Sequence, residues 1–197
     1  MSIVKIQGDA SGTGEFILTS PNSNSNRTLT LPDATGTLDR TNRAGNVLQV
    51  VSATKTDVFT TTNTSWVDVT GLSVTITPTS ATSKILVMAN IQMDNASVNQ
   101  RFFFRFVRNS TAICVGDAVG SRAQATNTSQ SATGGGVCTP FNSSFLDSPA
   151  TTSSTTYKIQ TAALDVGTIV VNRSAGDTDT SSYARSASTI TIMEIAA

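Results

Sequence analysis

Several places in the 197-residue chain bring together side chains that could do chemistry, and each lacks a part. Gly8-Asp-Ala-Ser-Gly-Thr-Gly14 spaces its glycines like a phosphate-cradling loop, but Glu15 follows where such a loop needs Lys and then Ser or Thr. A carboxylate there repels phosphate, so the segment reads as a glycine turn. Gly176-Asp-Thr-Asp-Thr180 offers two carboxylates two residues apart, as at the start of a calcium loop, without the glycine and terminal Glu that complete one. Ser and Thr hydroxyls are abundant, but the chain has no His to activate them. Its two Glu, Glu15 and Glu194, stand near opposite ends of the sequence and nothing marks them as a hydrolytic pair. Trp66, the one tryptophan, could stack a sugar; a lone Trp in a small β domain is expected in the core. Cys114 and Cys138 sit among small and apolar neighbours and read as buried hydrophobes. These residues support no enzyme and imply no cofactor or metal.

Composition narrows the class further. Charged residues make up 13% of the chain, 13 basic against 13 acidic, for a net charge of zero. With no basic cluster, a nucleic-acid partner is not expected, because that affinity comes largely from neutralising phosphates. No run of 18 apolar residues is present, so membrane insertion is not expected, and Met1 to Ala10 lacks the apolar stretch of a secretory signal. Seven Asn-X-Ser/Thr sequons accompany 33 Thr and 25 Ser, a density at which chance supplies many of them. Thr, Val and Ile suit a pleated, half-buried surface, and the fold class expected is all-β.

The elements that would position these side chains follow a two-residue period. Leu72, Val74 and Ile76 share one face of a strand that Pro78 ends. In Arg101–Arg108, Phe102, Phe104 and Phe106 share one face, and Arg101, Phe103, Arg105 and Val107 share the other. Lys84–Met93 is apolar on both faces over its first half, which predicts a central strand or one facing a second buried surface. With strands near 47–51, 57–60, 65–70, 112–115, 157–161, 167–171 and 188–195, the count is eight to ten, as in a sandwich or barrel. Gly120 to Thr156 fits the pattern worst, with a short strand expected near Phe141–Leu146 between exposed loops.

Residues 1–45 read as a separate segment. Two short strand-like runs flank a polar turn, with Phe16 and Leu18 in one and Leu29 and Leu31 in the other, and Leu38 further on. An isolated hairpin with so few apolar side chains is marginal in water, so the segment needs a partner. The terminal strand 188–195 also needs something, since Ile190 and Ile192 fall on one parity and Met193 and Ile195 on the other. A bulge would swap the faces without any partner; otherwise Met193 and Ile195, like Arg101, Phe103, Arg105 and Val107, suit an interface between subunits.

Thr28-Leu-Thr-Leu-Pro-Asp-Ala-Thr-Gly-Thr-Leu38, following Gly14-Glu-Phe-Ile-Leu18, resembles the N-terminal segment of phage virion fibre proteins. Tyr157-Lys-Ile-Gln160, Val171-Asn-Arg-Ser174 and Ser188–Ile195 resemble the C-terminal domain of the same proteins, which is similar to the trimeric jelly rolls of the tumour necrosis factor and complement globular-head type. The resemblance implies a homotrimer: residues 1–45 as an anchor on another virion protein, with Phe16, Leu18, Leu29, Leu31 and Leu38 as its apolar contacts, and residues 46–197 as an antiparallel jelly-roll head. It implies a virion location, after assembly in the bacterial host cytoplasm, and no catalytic residue. A tail fibre or fibre tip would touch a host-surface glycan or protein through loops 120–136 and 174–187. A head fibre or capsid decoration protein is the alternative within the class, and a carbohydrate-binding module the alternative outside it.

Overall fold

The computed structural model describes residues 11–13, 17, 22, 24–26 and 43–197, save 98, 132–137 and 165–166. The chain divides into two compact units, residues 1–38 and 39–197. The hairpin expected within 1–45, and the proposed anchoring residues Phe16, Leu18, Leu29, Leu31 and Leu38, lie outside the described residues.

In the second unit eleven strands form among the described residues: β1 (Val47–Lys55), β2 (Phe59–Thr61), β3 (Val67–Ile76), β4 (Lys84–Asn95), β5 (Arg101–Arg108), β6 (Thr111–Ile113), β7 (Asn127–Gln130), β8 (Thr139–Asp147), β9 (Thr155–Ala162), β10 (Ile169–Val171) and β11 (Ser188–Ile195). They fill eight positions. β11 and β10 lie end to end along one edge of β4, pairing with 84–90 and 93–95, while β8 takes the other edge along 85–93. β1 and β2 lie end to end beyond them. Sheet A therefore runs β1/β2, β10/β11, β4, β8, and sheet B runs β3, β9, β5, β6/β7, all antiparallel. Numbered along the chain, the sheets hold positions 1, 8, 3, 6 and 2, 7, 4, 5, which is the jelly roll, two Greek keys folded face to face.

Alternation explains what lies between the sheets. Ile85, Val87, Ala89, Ile91 and Met93 of β4 face Phe102, Phe104 and Phe106 of β5, all buried. Phe141 of β8 reaches across to meet Phe102 and Phe104 edge to face, at 5.5 and 5.3 Å between ring centres. Each fully buried side chain of this size contributes about 1.5–3 kcal/mol, and such ring pairs add about 0.5–1.5 kcal/mol.

Four departures from the sequence reading have local causes. Residues 65–70 and 72–77 belong to one strand, β3, because Gly71 takes a φ of 87° and a bulge absorbs the extra residues: Asp68–Ser73 spans only Gln160–Lys158 of β9. β7 breaks no rule of alternation, but its Asn-Thr-Ser-Gln sequence carries no apolar signal. β11 pairs with β4 without a register shift from Thr189 to Ile195, so no bulge swaps its faces. Trp66 is half-buried on the outer side of sheet B, under Arg105, rather than in the core.

The last strand position is split by an excursion at 172–187, and Asn172 holds the break. At a φ of 65°, its backbone N–H donates to Gln92 O at 2.9 Å, and its side-chain amide donates to the carbonyls of Lys55 and Asp57 at 2.8 and 3.0 Å. Ser188 donates to the Asn172 side-chain oxygen at 2.5 Å where the chain re-enters the sheet. Asn172 and Asn95 are fully buried, so the sequons they head are not on the surface of the folded chain.

Candidate functional site

The buried polar groups are tied into hydrogen bonds and ion pairs rather than arranged for reaction. Asp147 accepts both 2.8 Å contacts from one Arg108 nitrogen and a 2.7 Å bond from the Tyr157 hydroxyl. Burial, then the neighbouring carboxylate, push the Tyr157 phenol far up, so it stays protonated. Arg108 and Tyr157 belong to sheet B and Asp147 to sheet A; the trio ties the sheets together, with Tyr157 and Asp147 buried and Arg108 partly exposed. Glu194 faces inward between Gln49 and Thr79. Burial disfavours its charge, but Gln49 at 2.6 Å, with the Thr79 N–H and hydroxyl at 2.7 Å each, hold its pKa down at about 2. Glu194 is thus a satisfied carboxylate and a poor proton donor or acceptor near neutrality. Cys114 and Cys138 are free and half-buried, and burial raises both thiols, the reverse of what a nucleophile needs. Asp177, the first of the two carboxylates of the calcium-like segment, is engaged by Arg185 at 2.6 Å and Arg173 at 3.8 Å. No group of three or more metal-ligating side chains occurs among the described residues, and no helix there is long and apolar enough to cross a membrane.

The outward faces of the two sheets differ more than the interior suggests. On sheet A the strands are in register, so outward side chains form rows across all four positions. Val50, Met193, Leu86 and Leu146 make the first row, Ser52, Thr191, Met88 and Ser144 the second, and Thr54, Thr189, Asn90 and Asn142 the third. Not one of these twelve is charged. Val50 is 54% exposed and Leu146 53%, and Val47 nearby is 52% exposed, a contiguous apolar band of the kind that marks an interaction surface. Met193 and Ile195, two of the residues predicted for an interface, lie on this face and are half-buried.

The other four predicted interface residues lie on the opposite side of the sandwich. On sheet B, Arg105 stacks over Trp66 at 4.4 Å and donates to Gln160 at 2.7 and 3.0 Å. Gln160 donates to Asp68 at 2.7 Å, and Lys158 pairs with Asp68 at the same distance. Val107 is 2% exposed, Phe103 half-buried and Arg101 exposed. Thus Arg101, Phe103, Arg105 and Val107 form no common patch with Met193 and Ile195. Desolvation over the indole lowers the Arg105 pKa without neutralising it. Arg105 covers one face of the Trp66 ring and so takes that face from any stacking sugar.

Leu86, Val50 and Leu146 are the members of the sheet A surface that sequence reasoning missed. Their strands were legible, but the register that aligns them with Met193 was not.

No family model matches the chain, and no curated protein matches it. Among solved structures it is similar to the infectious bursal disease virus VP2 subviral particle, with a TM-score of 0.39 and 10% identity over 75% of this chain and 38% of that chain. The structure of the Gx strain of infectious bursal disease virus gives a TM-score of 0.30 and 16% identity, covering 87% of this chain and 42% of that one. The chain spans well under half the length of either viral chain, and likenesses this loose bear on neither family nor function.

Proposed function

We propose that the chain is a non-enzymatic structural protein of a phage virion, three copies of which associate through the outer face of sheet A, with residues 1–45 attaching them to another virion protein. The observation that carries this reading is the uncharged row Val50, Met193, Leu86 and Leu146, exposed at its two ends and half-buried between them on an otherwise well-packed domain. An identical copy presents identical charges, so a face that meets its own kind is best with few of them: the three rows hold none, and Lys84, the register partner of Ile195, stands at their edge. Covering the exposed parts of these side chains would contribute on the order of 1 kcal/mol each. Three copies, rather than two, follow the resemblance to trimeric jelly rolls. The virion assignment rests on the Thr28–Leu38 segment and its likeness to fibre proteins.

Within that class the chain is a tail fibre or fibre tip, touching a host-surface glycan or protein through polar residues of the stretches 120–136, which β7 interrupts at Asn127–Gln130, and 174–187. Long polar loops on a rigid sandwich are the usual place for such contacts. Immunogold labelling of intact virions with antibody against residues 46–197 tests the assignment. Gold at the tail is the expected result, gold over the head would make the protein a head fibre or decoration protein, and unlabelled virions would overturn the virion reading.

A further inference from the structure

The face proposed to join copies changes character along its length, from the apolar first row to an amide cluster that begins in the third. Asn90 donates to Asn142 at 2.7 Å, and Gln92, one step further along β4, donates to Asn90 at 3.0 Å. Beside them lies a shallow depression of about 360 Å³, lined by Asn90, Asn142, Ser144, Thr189, Thr191 and Met88 among others. Among the described residues the Asn142 side-chain N–H groups find no acceptor and the Gln92 side-chain oxygen finds no donor. Resting on the reading that this face joins copies, we propose that the amides of Asn90, Gln92 and Asn142 set the register and copy number of the assembly.

The apolar row is non-directional, and by itself it would let copies slide or add. Amides are directional. Covered by a second copy in the right register, each can find a partner; covered in a wrong one, each is buried unsatisfied, which costs free energy. A buried Asn in a coiled coil selects register and oligomeric state in the same way. The occupant these groups suit is a second copy of this chain. Amides and hydroxyls both donate and accept, so they can pair with the same groups of other copies where three faces converge, and the three rows hold no charge that an identical surface would repel.

Native mass spectrometry of the full chain tests this with Asn90→Leu and Asn142→Leu combined. Both side chains are on the outer face, and a thermal melt would verify that the sandwich is intact. Wild type is expected to show one stoichiometry. The leucine variant is expected to associate at least as tightly but to populate other stoichiometries roughly tenfold more, the factor that ~1.4 kcal/mol represents. A second variant, Asn90→Gln with Asn142→Gln, keeps the amides and should restore most of the single stoichiometry. A leucine variant with the wild-type distribution would overturn the proposal while leaving the interface reading standing. A wild-type chain that stays a monomer would sink both.

Discussion

Across sheet A, Val50, Met193, Leu86 and Leu146 stand in one row without a charge among them; across sheet B, the aligned residues Asp68, Gln160 and Arg105 are hydrogen-bonded to one another. Both faces follow the same alternation over the same core. The difference lies in where the outward side chains find partners. On sheet B they find them within the chain: Lys158 closes the series on Asp68, and Trp66 lies under Arg105. On sheet A, among the described residues, the apolar side chains have only each other and water. The outer surface of a sheet can be finished by its own residues or left to be finished by a neighbour, and this molecule does one on each side.

The comparison breaks most sharply by moving charge from one face to the other. Met193→Asp combined with Leu86→Asp places two carboxylates per chain where an identical copy would bring two more, and burying such charges costs several kcal/mol apiece. The variant is expected to sediment as a single chain while its circular dichroism stays that of the wild type. Phe103→Asp, the matching change on sheet B, is expected to leave the assembly whole. Asp147→Ala strands the buried Tyr157 hydroxyl and the Arg108 cation, and should lower the unfolding free energy by about 3–5 kcal/mol in urea titrations. Since that trio joins the sheets and touches neither outer face, copy number below the melting range should not change.

Glu194 offers a smaller lever on the same strand as Met193. Its folded pKa of about 2 lies below the ordinary 4.5, so its contribution is fully present above about pH 5 and drains away as pH falls toward 2. A loss on the order of 2–3 kcal/mol is expected over that range, and Glu194→Gln should flatten the pH dependence of the melting temperature. The smallest effect belongs to the face that completes itself. Arg105→Ala removes a cation from an indole and one member of the hydrogen-bonded series, which should cost about 1 kcal/mol and leave the sedimenting mass as it was.

The interior of this fold was legible because burial imposes a period of two. Phe102, Phe104 and Phe106, or Leu72, Val74 and Ile76, announce their inward face without any knowledge of neighbours. Met193 and Ile195 signalled an outward apolar face in the same way, since Ile190 and Ile192 had already taken the inward one. What stayed hidden depends on register, a long-range property: Leu86 pairs with Leu146 sixty residues away and with Met193 more than a hundred away. Arg105 and Trp66 misled for a related reason. Read alone, Arg105 suggested a surface left for a partner and Trp66 a place in the core, and only the sheet brought them together. Glu194 continues the inward series of Ile190 and Ile192, but its partners Gln49 and Thr79 lie over a hundred residues away, so its burial carried no local signal.

Sedimentation velocity of the full chain at micromolar concentration, beside the Met193→Asp/Leu86→Asp and Phe103→Asp variants, tests the central claim most directly. The expected result is a wild-type species of three times the 20.5 kDa chain mass, retained by Phe103→Asp and reduced to one chain by the double substitution on sheet A. A wild type that sediments at 20.5 kDa, or an assembly that Phe103→Asp dissolves and the sheet A substitutions do not, would contradict it.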